Sequence, residues 1–178
     1  MSSAAERVVV EDGAVVLATV VRGVKNMGEV LKGVRSGALQ ACFIKASMVP
    51  DLFVAAVAAR HALEAQKAEN MTTRNVNTEI LYSLYPGRQI TTAFATLGPA
   101  ETDTDVLVMV LATSDKDDSQ LSQVLDAIDG TVAPVSELHE LYDAAAIAKL
   151  YGIKCEGRPV DDIVNDVVTK MALKGLRK

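Results

Sequence analysis

The stretch Asp105–Ala112, Asp-Val-Leu-Val-Met-Val-Leu-Ala, restricts the fold more than any other part of this chain. Its side chains are apolar at odd and even positions alike, as in a strand from the interior of a sheet. Such a strand needs neighbours, and the chain offers them upstream. Arg7–Val10 and Ala14–Val21 are rich in β-branched residues and flank Glu11-Asp12-Gly13, whose Asp-Gly pair favours a tight two-residue turn. A starting hairpin is therefore expected. Ala38–Ile44 carries a brief apolar run with Phe43 and Ile44, too short for an independent helix, and reads as a further buried strand. Between Val76 and Tyr85, Val76, Ile80 and Leu84 fall opposite Asn77, Glu79 and Ser83, which is a strand period ended by Tyr85-Pro86-Gly87.

Helical spacing surrounds these strands. Met27, Val30, Leu31 and Val34 share one face from Met27 to Arg35, with Asn26 placed as N-cap and Gly37 just past the end. Pro50 and Asp51 suit a first helical turn, and the alanine-rich run through Lys67 has the strongest helix propensity in the chain. Ile90–Leu97 predicts a helix closed by Gly98-Pro99. Ser114–Ser119 is polar and acidic and predicts an exposed loop. Beyond it, Gln120–Ile128, Ser136–Leu150 with a break, and Val160–Leu173 predict helices, the last with Ile163, Val164, Val167 and Met171 on one stripe. This order of elements implies an α+β fold over residues 1–178 as a single domain, with a mixed or mainly antiparallel sheet packed with helices.

Charge and motif content narrow the function. A net charge of −5 argues against generic coating of phosphates, so any RNA binding must use a local basic patch. No apolar run reaches the ~18 residues of a membrane span, and Met1–Glu11 lacks the regions of a secretory signal, so an intracellular protein without membrane contact is expected. Cys42 and Cys155 stand apart, without CxxC or Cys/His spacing, and suggest neither a zinc site nor a disulfide framework. Gly23-Val24-Lys25-Asn26-Met27-Gly28 has the glycine spacing of a phosphate loop, but Glu29 and Val30 follow where Lys and Ser/Thr are required. His61 and His139 are too few and too isolated for a metal site, and neither metal nor cofactor is expected. Two other readings remain open: a small cysteine-dependent hydrolase pairing Cys42 with His61, and a small-molecule-binding α+β domain.

The specific signal lies between Val24 and Thr113. Val24-Lys25-Asn26 precedes the first helix and Gly37 follows it, and Ile44, Ser47, Asp51 and Phe53 lead into the alanine-rich helix. Met71, Thr73-Arg74, Thr78-Glu79-Ile80-Leu81, Leu84 and Pro86 then form a Met-x-Thr-Arg…Thr-Glu-Ile-Leu-x-x-Leu-x-Pro signature, followed by Ile90, Ala93, Gly98 and the apolar strand from Val106. In these residues the chain resembles the TPRKB (PRPK-binding protein) family of subunits of KEOPS, or EKC, the complex that makes threonylcarbamoyladenosine in tRNA. His61 and Thr72 stand where family members often carry basic residues, Pro50 and Leu52 replace a more usual Val and Pro, and beyond Ser114 the likeness is architectural. The resemblance implies a subunit without chemistry of its own that docks on the small atypical kinase of the complex. It would help deliver the tRNA acceptor end and its CCA tail, serving the catalytic threonylcarbamoyl-transfer subunit indirectly, in nucleus and cytoplasm.

Within that expectation, Arg60 and Lys67 share a face of the central helix and Arg74 follows its exit, so these residues are candidates for tRNA phosphates. Their alternatives are a surface ion ladder through Glu64 and, for Arg74, a structural contact with Glu79 or with backbone. Ile163, Val167 and Met171 on the terminal helix are candidates for the kinase interface, with plain core packing as the alternative.

Overall fold

A computed structural model describes residues 5–112 and 118–176. Strands β1 (Glu6–Glu11) and β2 (Ala14–Arg22) form the expected hairpin. Asp12 and Gly13 both take positive φ, 45° and 79°, the backbone that matches a two-residue turn to the twist of its strands. Strand β3 covers only Cys42–Lys45, shorter than the expected Ala38–Ile44, because residues 38–41 leave the sheet. Strand β4 (Val106–Ala112) lies between β2 and β3, antiparallel to both, in the order β1-β2-β4-β3. A short fifth strand, β5 (Thr131–Ala133), continues along β2 beyond β1; its length explains why no sequence pattern announced it.

The sheet is covered on both faces, as the unbroken apolar run of β4 requires. Val16, Ala18 and Val20 of β2, with Leu107 and Met109 of β4, face a large core. This core is shared with helices α2 (Leu52–Lys67), α3 (Val76–Leu84) and α8 (Val160–Leu176). Val15, Leu17, Val21, Val106, Val108 and Val110 face the other way, onto Val30 of α1 (Met27–Ser36) and Leu121 and Val124 of α5 (Asp118–Asp126). Ala55, Ala58, Ala59 and Ala62 are fully buried, and their small side chains let α2 lie close to its neighbours.

Helix α4 (Ile90–Leu97) falls on its expected residues. The segment 136–150 does break, into α6 (Leu138–Leu141) and α7 (Ala144–Tyr151), because Asp143 caps α7 through the amide of Ala146 at 3.0 Å. Asp51 caps α2 from outside, accepting from the Phe53 amide at 2.7 Å, so Pro50 precedes the helix rather than opening it. Of the loop expected at Ser114–Ser119, residues 114–117 lie outside the described residues, and Asp118 and Ser119 already belong to α5.

One element is corrected in kind. Val76–Tyr85 is not a strand but α3, and its start explains why: Asn75 Oδ1 accepts from the Thr78 amide at 3.0 Å while Thr78 Oγ1 accepts from the Asn75 amide at 3.4 Å. Val76, Ile80 and Leu84 are spaced by four, a number that satisfies both periods. The reciprocal cap decides for the helix, and Ile80 and Leu84 are fully buried on its inner side.

Candidate functional site

The Thr-Arg…Thr-Glu signature builds one turn. Glu79 is buried, with 3% of its surface exposed, and its carboxylate accepts from the Thr72 amide (3.2 Å), the Thr73 amide (2.7 Å) and the Thr73 hydroxyl (2.6 Å). These donors replace the water that the carboxylate gave up and tie the segment before α3 to its first turn. The proposed Arg74–Glu79 contact is therefore not made. Arg74 is exposed, and among the described residues it has no ion pair or hydrogen bond.

Arg74 lines a groove of about 720 Å³ between the end of α1, the segment 37–43, the end of α2 and the starts and ends of α3 and α4. Leu31, Val34, Leu39, Phe43, Leu81 and Phe94 give it an apolar surface. Gln66, Asn77 and the guanidinium groups of Arg35 and Arg74 give it polarity, and no carboxylate is among its walls. Gly98 closes one end: a Cβ there would come within 2.7 Å of the Phe94 carbonyl oxygen, so the chain passes close to α4 only as glycine.

Arg60 and Lys67 do not join Arg74 in this groove. Arg60 Nε lies 3.1 Å from Glu64 Oε1, the ion ladder expected as the alternative. Lys67 Nζ lies 2.5 Å from Asp12 and 3.8 Å from Glu11, bracing the central helix against the β1–β2 turn. The hydrogen bond to Asp12 raises the Lys67 amine above its ordinary range and lowers Asp12 below its own.

The terminal-helix candidates are inside the molecule. Ile163, Val167 and Met171 are buried among α2 and α3 residues of the larger core, so in this chain they hold α8 down rather than face a partner. Their stripe was legible, and it points inward for the usual reason that apolar helix faces bury themselves. The apolar residues that α8 does expose are Leu173 and Leu176, at its end. Lys174 also fixes this end: its amine bonds the carbonyls of Tyr82 and, at 3.0 Å, Tyr85, and lies 3.3 Å from the centre of the Tyr82 ring. Burial pushes this amine down to about 8.

Cys42 and His61 do not form a dyad. Cys42 is buried in β3, and loss of solvent pushes its thiol up to about 12, far from a thiolate at neutral pH. Cys42 borders the groove of Arg74, whereas His61 borders a separate cavity of about 560 Å³ with Tyr82, Arg88 and Lys174. Among the described residues no group of His, Cys, Asp and Glu is arranged to hold a metal ion, and no helix is long and apolar enough to cross a membrane.

Sequence reasoning named Arg74 but missed Arg35, Lys174 and the role of Glu79. The first two carry no local motif, and their relevance comes from packing between distant segments. The family described as kinase binding protein CGI-121 matches residues 21–175. The EKC/KEOPS complex subunit TPRKB of Danio rerio is 31% identical over 153 residues, covering 86% of this chain and 87% of that protein.

Proposed function

The chain belongs to the kinase-binding CGI-121 family, and from that premise we propose that it is a non-catalytic subunit of a KEOPS-type complex. In this reading it binds the small atypical kinase of the complex and presents the acceptor end of tRNA for threonylcarbamoyladenosine formation. The catalytic threonylcarbamoyl-transfer subunit is reached only through the assembly, and the protein works in cytoplasm and nucleus as one TPRKB-like unit.

The observation that carries the RNA half is the exposed, unpaired Arg74 beside an apolar groove without carboxylates, in a chain whose net charge is −5. Unpaired bases offer apolar faces and phosphates offer negative charge, and this groove matches both. Arg60 and Lys67, each held by carboxylates, contribute less in this reading than Arg74. For the kinase, the contact is assigned to the outward side of α8, where Leu173 and Leu176 are exposed, with Ile163, Val167 and Met171 supporting that helix from beneath.

Two measurements test the proposal. Co-purification with the kinase is expected to succeed for the wild-type chain and to fail for Leu176→Asp, a change at a position 78% exposed that leaves the core intact. Intact tRNA is expected to bind more tightly than tRNA trimmed of its CCA end, and Arg74→Ala is expected to erase that difference. Equal retention of all forms would remove the RNA role, and failure of the wild-type chain to hold the kinase would remove the kinase role.

A further inference from the structure

Among the described residues, six cations of this acidic chain are held by carboxylates. Arg22 pairs with Glu137, Arg60 with Glu64, Arg158 with Asp166, Lys32 with Glu29, Lys45 with Asp103 and Lys67 with Asp12. Arg35 is different. It lies in the last turn of α1, it is exposed, and among the described residues no carboxylate lies within ion-pair distance of it. Arg88 also makes no ion pair among the described residues, but it borders the other cavity, with Glu79 and Lys174. Arg35 and Arg74 therefore share one groove although they come from elements far apart in the sequence.

That coincidence has an electrostatic meaning. Two guanidinium groups beside one apolar surface, with no acid among the walls, give the groove a net positive charge that suits an anion. A groove of about 720 Å³ is in the range of clefts that hold small ligands, roughly 300–1,000 Å³. It has room for a short unpaired stretch of nucleic acid and none for a duplex. The apolar side, with the half-buried Phe94, offers a surface for a base, while the unengaged side-chain amides of Gln66 and Asn77 can meet base edges.

We propose that Arg35 is a second phosphate-gripping residue, which works with Arg74 from the other side of the chain fold to hold the backbone of an unpaired RNA end in this groove. The proposal rests on the RNA reading given above and adds to it a residue outside the Thr-Arg signature. Arg35 supplies charge and the bidentate geometry of guanidinium toward phosphate; Arg74 does the same from the turn that Glu79 holds. Arg60, held by Glu64, lies outside the walls of this groove.

The test is the salt dependence of binding, measured by fluorescence anisotropy on the full chain. The probes are a labelled acceptor stem-loop ending in unpaired CCA and the same stem with a blunt end. For single strands the slope of log affinity against log salt is about −0.7 per phosphate neutralised. Arg35→Ala is expected to weaken binding of the CCA probe by about tenfold at low salt and to flatten the slope by about 0.7, with the blunt probe unaffected. Arg35→Lys is expected to keep the slope, and Lys149→Ala, at an exposed position of α7 away from the groove, to change neither quantity. Arg35 is exposed, so these variants fold, and unchanged circular dichroism checks that directly. If the CCA probe binds with a contribution from Arg74 while Arg35→Ala behaves as wild type, the role of Arg35 is overturned and the RNA reading stands. If the wild-type chain ignores both probes, alone and in complex with its kinase, the RNA reading itself fails and takes this inference with it.

Discussion

A carboxylate as deeply buried as that of Glu79 keeps its place only when its lost hydration is replaced, and two backbone amides and a hydroxyl replace it here. Glu79→Gln keeps the shape but loses the charge that strengthens those bonds, and it turns an acceptor-only group into one that also donates. The expected cost is about 2 kcal/mol of unfolding free energy, read from urea titrations. A larger relative loss of RNA binding is expected alongside it, because Arg74 loses its fixed position. The sequence made Glu79 conspicuous through the signature but suggested the wrong partner. Which donors reach a carboxylate depends on the path of the turn, and the turn is set by Thr73, Asn75 and Thr78 acting together.

At the scale of elements, most helices and strands follow from local pattern. The hairpin at Asp12-Gly13, helices α1, α4 and α8, and the interior strand β4 all lie where periodicity and turn residues put them. The exceptions have physical causes. Helix α3 shares its spacing of four with a strand, and the deciding cap needs Asn75 and Thr78 to be weighed together; β5 is too short to show a period. The stripe of α8 was read correctly as apolar, but sequence alone does not say whether such a stripe meets the parent core or a partner. The structure puts it in the core, and that assignment has a measurable consequence. Ile163→Ala is expected to cost about 2–5 kcal/mol, since it removes a fully buried side chain and leaves a void. Leu176→Asp is expected to cost little stability, so the pair separates packing from docking in a thermal melt beside a kinase pull-down.

At the scale of the whole molecule, the sheet is assembled from segments that meet late. Strand β4 is hydrogen-bonded on one side to β2 and on the other to β3, both from much earlier in the chain. The unbroken apolar run of β4 made the two-sided core legible, yet the strand order could not be read, because antiparallel pairing between distant segments leaves no local trace. The groove follows the same rule: α1, α3 and α4 become its walls only once the sheet has brought them together. A fragment ending at residue 104 is expected to show no cooperative unfolding transition by circular dichroism, since β2 and β3 then have no strand to join them. The same wedge shapes the life of the protein on the ribosome. Until the segment ending at Ala112 emerges, the valine-rich hairpin and β3 hang in the cell as unfinished edges, so the half-made chain is the form that chaperones and proteases meet first.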